Sequence, residues 1–404
     1  MKKTTTLKFI FFLILLYLLV FQNLIQKYIK PFQFFDELLA IYSLVAIVVN
    51  LFNRKGSRLE KEYRLLFFIF FIIIITGLFS NLVHEYQPIS IALSDLLIFS
   101  KFYLIVIFSS LYFNSDFIKE NNKKINKHLN YITIVLFLFT IANYLFVLYP
   151  YESRYGILSN TLFYSHPTYL AAISIFLIAL RVIVSKKLFS LGNMINILIL
   201  LSTLRSKAIG GAVITIIIAY MISRRKKKIS FSKLGVVGII IFIFGYNQFS
   251  YYFFTDDFAR SALLNTSFKI AKEYFPFGTG FGTFASYYSA VSYSPVYRLY
   301  GINNVWGLSS AHPMYVSDVF WPMVLGQFGY IGLILYASCL FVLFKKIQND
   351  FDEDNLYLYA GKLICFIYLI ISSMAETAFS GPISVALALI IGIKCIKHKE
   401  NEKI

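Results

Sequence analysis

The sequence predicts an all-α integral membrane protein that crosses the bilayer about twelve times. Three observations lead to this fold class. Hydrophobic residues make up 58% of the 404 residues and charged residues only 14%, whereas a soluble domain carries about 25% charged residues. Apolar stretches long enough to cross a hydrocarbon core of about 30 Å recur along the whole chain. Lysine and arginine gather in alternate connections between those stretches.

Twelve apolar stretches are the predicted spans, since a transmembrane helix needs about 20 residues. They lie near residues 7–26, 34–52, 64–83, 91–113, 130–149, 162–184, 188–204, 207–222, 234–253, 319–344, 356–374 and 378–396. A basic start precedes the first stretch, but no small-residue cleavage site follows it, so we expect a retained span. The chain is therefore expected to form a single polytopic membrane domain over residues 1–404.

The distribution of basic residues predicts the orientation. Of the 38 lysines and arginines, 27 lie near the two termini or in alternate connections. By the positive-inside rule this side faces the cytoplasm, so both termini are expected there. The net charge of +18 is then explained mainly by topology. The run Arg224–Lys228 is typical of a juxtamembrane segment, and we expect no nucleic-acid partner.

The largest connection is the predicted extracytoplasmic loop over residues 254–318, between spans nine and ten. Its apolar spacing predicts an amphipathic helix over about 257–274 that lies along the membrane surface, with Asp256 or Asp257 as its N-cap. Arg260 falls in the first turn of this helix, where the helix dipole disfavours a cation. A ligand would explain an arginine at that position.

Two other features indicate packing more than chemistry. Gly278, Gly280 and Gly282 follow the predicted loop helix and permit a tight turn with close backbone approach. No strand-to-helix nucleotide unit surrounds them, so they are weak support for a phosphate site. Asp95 and Lys101 in the fourth span are six residues apart and do not share a helix face by i,i+4 spacing. We expect each of them to pair with another helix.

The loop also carries candidate groups for chemistry on sugars. Asp318 lies at the outer mouth of span ten and His312 six residues earlier, and either is a candidate general base. The alternative for Asp318 is a helix N-cap. Tyr287, Tyr288 and Trp306 offer flat faces that suit stacking on a glycan, and the alternative for them is an aromatic belt at the membrane interface.

A few basic residues oppose the topology rule on the outer side. Arg205 and Lys207 lie at the tip between two apolar arms of about 15–17 residues, or roughly 22–26 Å of helix, which places them below the outer surface. A charge at that depth usually faces a cavity or a partner, and the alternative is that both side chains snorkel. Arg154 is a third such residue, and Glu152 is its available partner. His166, at the start of span six, is either a satisfied polar residue or a ligand group.

The order of these features resembles the O-antigen polymerase and O-antigen ligase superfamily of bacterial surface-polysaccharide enzymes. The shared elements are the basic tip Ser202–Lys207, the loop helix that runs into Tyr274–Gly282, and the glycine pair of Gly329–Gly332. The similarity covers roughly residues 150–345. Counting back from the glycine pair, the ligases of this superfamily have a histidine at the position where this chain has Asp318. The resemblance is therefore closer to the polymerase branch.

This resemblance implies a GT-C-like, metal-independent glycosyltransferase of the bacterial inner (plasma) membrane. It would polymerise undecaprenyl-pyrophosphate-linked repeat units into surface polysaccharide on the extracytoplasmic face, without a cofactor. Asp318 is implied as the general base, with His312 as the substitute and Tyr287, Tyr288 and Trp306 against the glycan. The residues expected to bind the pyrophosphate are Arg205, Arg154, Arg260, Arg298, Lys207 and His166.

Two alternative functions stay open at this point. The first is an O-antigen ligase, which the same resemblance includes. The second is a flippase or other transporter of lipid-linked oligosaccharide, because the number of spans suits it and buried lysines such as Lys101 and Lys362 could line a path. The expected partners are the lipid-linked glycan, membrane lipid and, by resemblance, a chain-length regulator.

Overall fold

Long apolar helices dominate the described part of the chain. A computed structural model describes residues 2–53, 59–149, 152–154, 156–187, 189–225, 228–229, 235, 250 and 258–397. The helices that position the site are, in chain order, α1 (Lys2–Tyr28), α2 (Phe35–Phe52), α3 (Lys61–His84), α4 (Ile89–Tyr112), α5 (Ser115–Phe146), α6 (Pro167–Ser185), α7 (Leu191–Ser202), α8 (Ser206–Arg225), α9 (Ala259–Glu273), α10 (Tyr287–Val291), α11 (Val296–Leu299), α12 (Phe320–Asn349), α13 (Leu356–Ser373) and α14 (Pro382–Gly392). Short 3₁₀ turns cover Lys30–Phe34, Ile302–Asn304 and Glu353–Asn355.

Eight helices in the described residues are long and apolar enough to cross a membrane, so the chain is a multi-pass, all-α membrane protein. They are α1 to α6, α12 and α13. Three shorter apolar stretches, α7, the part Ala208–Ile218 of α8, and α14, lie within the predicted seventh, eighth and twelfth spans. The predicted ninth span, 234–253, lies outside the described residues except at 235 and 250. The total of twelve spans and the GT-C-like arrangement stay predictions.

One small hairpin interrupts the helical pattern. Strand β1 (Glu152–Arg154) pairs antiparallel with β2 (Ile157–Ser159). Gly156 lies in the turn between them at φ +73°, a conformation that glycine adopts without a steric cost. The hairpin follows α5 and leads into α6, so it holds Glu152 and Arg154 close to the first turn of α6.

The glycine-rich segment after α9 fits into a break in α12. Gly329 has φ 62° and ψ −164°, which interrupts the helix. The break leaves the carbonyls of Gly326 and Gln327 without helical partners, and they accept hydrogen bonds from the backbone N–H groups of Thr279 (3.1 Å) and Gly280 (2.8 Å). The two glycine motifs of the sequence therefore form a single packing unit.

Side chains from neighbouring helices hold the same segment. The Asn81 amide accepts from the Phe281 N–H (2.7 Å) and donates to the Phe281 carbonyl (2.9 Å). The Asp95 carboxylate accepts from the Gly282 N–H at 2.8 Å, and the Gln327 amide donates to the Phe284 carbonyl at 2.9 Å. The segment is thus buried against α3, α4 and α12, which explains the glycines by close approach and not by phosphate binding.

Buried lysines are neutralised inside the helix bundle. Lys101 forms an ion pair with Asp36 at the start of α2 and lies 3.3 Å from a Glu37 carboxylate oxygen. Lys362 lies 2.5 Å from Asp350, at the end of α12. The expectation that Lys101 pairs with another helix is confirmed. For Asp95 the partner differs from the expected one, because its carboxylate accepts from the Gly282 N–H in the glycine-rich segment. The two lysines that could line a transport path are instead bound in ion pairs.

Replacing Gly329 by alanine is expected to destabilise the protein strongly. A Cβ atom there would lie 2.3 Å from the Pro276 carbonyl oxygen, and the backbone conformation is one that almost only glycine adopts, at a cost of about 1–3 kcal/mol for other residues. The measurement is the membrane level and thermal unfolding of the purified variant. Gly210→Ala is the control, because no atom lies within 4 Å of the added Cβ. Equal unfolding temperatures for both variants would contradict the described break.

Candidate functional site

The first part of the site is a cluster around the carboxylate of Glu152. An Arg205 Nη2 lies 3.0 Å from Glu152 Oε2, and Arg154 Nε lies 3.5 Å from the same oxygen. The Arg205 Nη2 also donates to His166 Nε2 at 3.1 Å. The structure therefore brings together three of the predicted pyrophosphate-binding side chains. They come from the hairpin, the start of α6 and the start of α8.

Arg205 lies where one short helix ends and another begins. Leu204 just before it has φ +49°, an uncommon conformation for a side chain without a local hydrogen bond. The Arg205 carbonyl accepts from Ala208 and Ile209, so α8 starts at this point. Helix α7 has 12 residues, or about 18 Å, which is too short to cross the hydrocarbon core.

The Arg205 side chain is 12% exposed and contacts Glu152 and His166. These contacts explain the largely buried position of Arg205 without the alternative interpretation, in which its side chain snorkels to the lipid headgroups. Lys207 lies in the first turn of α8, and its side chain lies outside the described part of the structure. Its predicted role as a pyrophosphate ligand stays a prediction.

His166 uses its two ring nitrogens differently. A guanidinium group only donates hydrogen bonds, so His166 Nε2 must be the acceptor in the contact with Arg205. The proton of the neutral ring then lies on Nδ1, which is 2.9 Å from the Thr168 hydroxyl and can donate to it. His166 holds the N-cap position of α6, but a protonated Nδ1 cannot also accept from the Thr168 N–H at 3.3 Å. The contact with Arg205 therefore assigns the ring to the arginine and not to capping its helix.

The second part of the site is the ion pair between Arg260 and Asp318, at 3.2 Å. Arg260 is the second residue of α9, and the pair offsets the unfavourable position of a cation at a helix N-terminus. Asp318 does not cap α12, whose N-cap is Val319 without a side-chain hydrogen bond. The side chains are 21% and 36% exposed, so a ligand can reach them.

The predicted loop helix is present, with different ends. It runs over Ala259–Glu273, and its N-cap is Phe258, which makes no side-chain capping bond. The prediction of an aspartate N-cap is therefore wrong, and Asp256 and Asp257 lie outside the described residues. The helix packs against α12, with Leu263 and Ile270 fully buried, and so fixes the position of Arg260.

Tyr169 on α6 lies within electrostatic range of both parts. Its backbone N–H donates to the His166 carbonyl at 3.0 Å, and the carboxylates of Glu376, Asp36 and Asp318 interact electrostatically with its hydroxyl. Glu376 follows the end of α13 and is not among the residues predicted from the sequence. The available signal was that it is the only acidic residue in the connection between α13 and α14.

Four helices begin at this site. Helices α6, α8, α9 and α12 start next to His166, Arg205, Arg260 and Asp318, respectively. The first turn of a helix leaves N–H groups without helical partners and carries a partial positive charge. Helix N-termini together with arginines are a common anion-binding arrangement. The site can therefore bind a phosphate group next to the Asp318 carboxylate, which pairs with Arg260.

Other candidate residues are elsewhere on the loop. Arg298 is exposed on α11 and forms no ion pair within the described residues. His312 is exposed, and its ring packs on Trp306 with centroids 5.8 Å apart. Trp306 and Tyr287 are 68% and 56% exposed. Tyr288 is half-buried and packs edge-on against Tyr287. Trp306, Tyr287 and Tyr288 all have accessible ring surface. Their stacking on a glycan stays a prediction.

Comparison with known proteins adds no family to this description. No protein-family model matches the chain, and a search of curated protein sequences finds no match. The function is therefore inferred from the two ion pairs, the helix N-termini around them and the short motifs that resemble those of surface-polysaccharide enzymes.

Proposed function

We propose that this chain is an extracytoplasmic glycosyltransferase that polymerises undecaprenyl-pyrophosphate-linked repeat units into surface polysaccharide. The product class is O-antigen, capsule or exopolysaccharide. The observation that supports the proposal most is the position of Arg205, which Glu152 and His166 orient at the start of α8. The resemblance in motif order to the polymerase branch supports the same conclusion.

In the proposed reaction, a hydroxyl oxygen of one lipid-linked repeat unit attacks the anomeric carbon of the growing chain. The bond from that carbon to the pyrophosphate oxygen breaks, and undecaprenyl pyrophosphate leaves with the electron pair. The hydroxyl proton moves to the Asp318 carboxylate. Arg205 and the helix N-termini stabilise the negative charge that develops on the leaving group.

The remaining side chains have supporting roles in this proposal. Glu152 holds Arg205 and Arg154 side by side, so that both guanidinium groups can face one pyrophosphate. His166 accepts from Arg205 and thereby fixes its plane. Arg260 orients the Asp318 carboxylate through the ion pair. Each of these contacts holds a charged group in place before the substrate binds, which lowers the cost of reorganisation during the reaction.

The test is the glycolipid and polymer profile of a strain that lacks this gene. A polymerase predicts loss of the polymer ladder and accumulation of single repeat units on the outer face of the membrane, restored by the wild-type gene. Accumulation of single units on the inner face would replace the proposal with a flippase. Polymer that forms normally and stays on its lipid carrier would replace it with a ligase.

Chelation of divalent metal ions is expected to leave polymer formation unchanged. Arginine side chains and helix N-termini carry the charge stabilisation in the proposed site, and these groups need no metal ion. The measurement is the initial rate of polymer formation in washed membranes with and without EDTA. A rate that falls with EDTA and returns with added Mg²⁺ or Mn²⁺ would contradict this assignment of roles.

A further inference from the structure

A cavity of about 430 Å³ lies at the basic ends of the helices, within the usual size range of ligand pockets. Its walls come from the start of α1, the end of α4 and the segment after α14. The site described above lies at the starts of α6, α8, α9 and α12 instead. The residues around the cavity are Lys8, Ser110, Leu111, Tyr112, Phe113, Asn114, Lys394, Cys395, Ile396 and Lys397.

The segment after α14 is fixed across the end of α4. The Lys394 N–H donates to the Phe113 carbonyl and the Ser115 N–H donates to the Lys394 carbonyl, both at 2.8 Å. The Ile396 N–H donates to the Ser115 hydroxyl at 3.1 Å. These bonds hold the backbone of the segment that carries Lys394 and Lys397 at the cavity.

The third lysine is held from the opposite wall. Lys8 Nζ lies 4.9 Å from the centre of the Phe117 ring and 5.9 Å from that of Phe113, within the range of a cation–π interaction. Lys8 belongs to α1, so the two walls that carry lysines come from opposite ends of the chain. The fold thus brings three cations from two separate segments around one cavity.

The charge of the cavity suits a phosphate group. Three lysines and no carboxylate are among the described residues that line it. In the described part of the chain, Lys394 Nζ lies 3.7 Å from Glu60, and the Glu120 carboxylate interacts electrostatically with Lys8. Lysines near helix ends serve topology and complement the helix dipole, but neither role requires a cavity. Basic pockets between helix ends on the cytoplasmic side are typical binding sites for lipid headgroups.

Apolar surface next to the cavity favours a lipid over a soluble anion. Leu111 and Tyr112 form part of the cavity wall. Tyr42, Val45 and Val49 are exposed at 47%, 56% and 59%, and their spacing places them on one face of α2. The Tyr42 ring packs on Phe108, which in turn contacts Tyr112 of the cavity wall. We propose that the cavity binds the headgroup phosphate of an anionic phospholipid, whose acyl chains lie along this face of α2.

The test is native mass spectrometry of the purified full chain titrated with dioleoylphosphatidylglycerol and, separately, dioleoylphosphatidylcholine. Wild type is expected to retain phosphatidylglycerol preferentially. The variant Lys8→Gln/Lys394→Gln/Lys397→Gln is expected to bind it at least about tenfold more weakly, since each lysine near a lipid surface contributes to anionic-lipid binding. The first control is that this variant unfolds at the same temperature as the wild type.

The matched control removes the same charge at the same end, away from the cavity. Lys61→Gln/Lys123→Gln/Lys345→Gln changes three exposed lysines and is expected to bind phosphatidylglycerol as wild type does. An equal loss in both variants would overturn the proposal, as would equal binding of the two lipids by wild type. Displacement of the lipid by inorganic phosphate at equal concentration would also overturn it and indicate a soluble anion site.

Discussion

Replacing Arg205 by alanine is expected to lower the rate of polymer formation by about 10²–10³-fold, the usual cost of losing one preorganised group that stabilises developing charge. Arg205 contacts the predicted ligand His166 and the Glu152 carboxylate, which also pairs with Arg154. The measurement is the initial rate of polymer formation in membranes that contain equal amounts of each variant.

Two further variants separate binding of the leaving group from a structural role of Arg205. Glu152→Ala breaks the ion pair and leaves the arginine in place, so it is expected to cost much less activity than Arg205→Ala. Lys30→Ala is the control, because this exposed basic residue is not among the predicted pyrophosphate ligands. Equal losses for Glu152→Ala and Arg205→Ala would show that the ion pair, and not leaving-group binding, is what matters.

Replacing Asp318 by asparagine is expected to lower the rate by about 10²–10⁴-fold, the usual contribution of a general base. The amide keeps the size of the side chain and can still accept a hydrogen bond from Arg260, but it cannot take up the hydroxyl proton. Substrate binding should change little, so the loss should appear in kcat and not in KM. A loss confined to KM would assign Asp318 to binding.

An exchange of the two charges tests whether the Arg260–Asp318 pair is only structural. The double variant Arg260→Asp/Asp318→Arg keeps an ion pair between α9 and the start of α12. It is expected to restore the membrane level that a single charge reversal lowers, and to remain inactive because the carboxylate has moved. Lys269→Ala, an exposed residue on the same helix, is the control. Recovery of activity by the double variant would contradict a role of Asp318 in proton transfer.

Most of the membrane helices were predictable because long apolar runs allow few other structures in a bilayer. The break in helix α12 was not predictable, because it depends on partner residues 47 positions earlier in the chain. The sequence does show the glycines, but only the fold shows that Gly329 leaves carbonyls for Thr279 and Gly280. The prediction of an aspartate N-cap for α9 was wrong because it relied on capping preferences. The helix begins after Phe258, which makes no side-chain capping bond.

The site was predictable one residue at a time and not as an arrangement. Arg205, Arg154 and Arg260 were candidates because they lie on the outer side, where the positive-inside rule disfavours basic residues. Their contacts with Glu152, His166 and Asp318 join residues that are between 2 and 58 positions apart, and no local pattern specifies which of them meet. Glu376 was missed for the same reason, because a single carboxylate between two spans has no periodic signal.

The most direct measurement is reconstitution of the purified chain with a purified undecaprenyl-pyrophosphate-linked repeat unit. The proposed function predicts a ladder of lipid-linked products that grow by whole repeat units, with release of undecaprenyl pyrophosphate in equal number to the linkages formed. The ladder should be absent with Arg205→Ala. A folded wild-type protein that leaves the repeat unit unchanged, or only moves it across the vesicle membrane, would contradict the account.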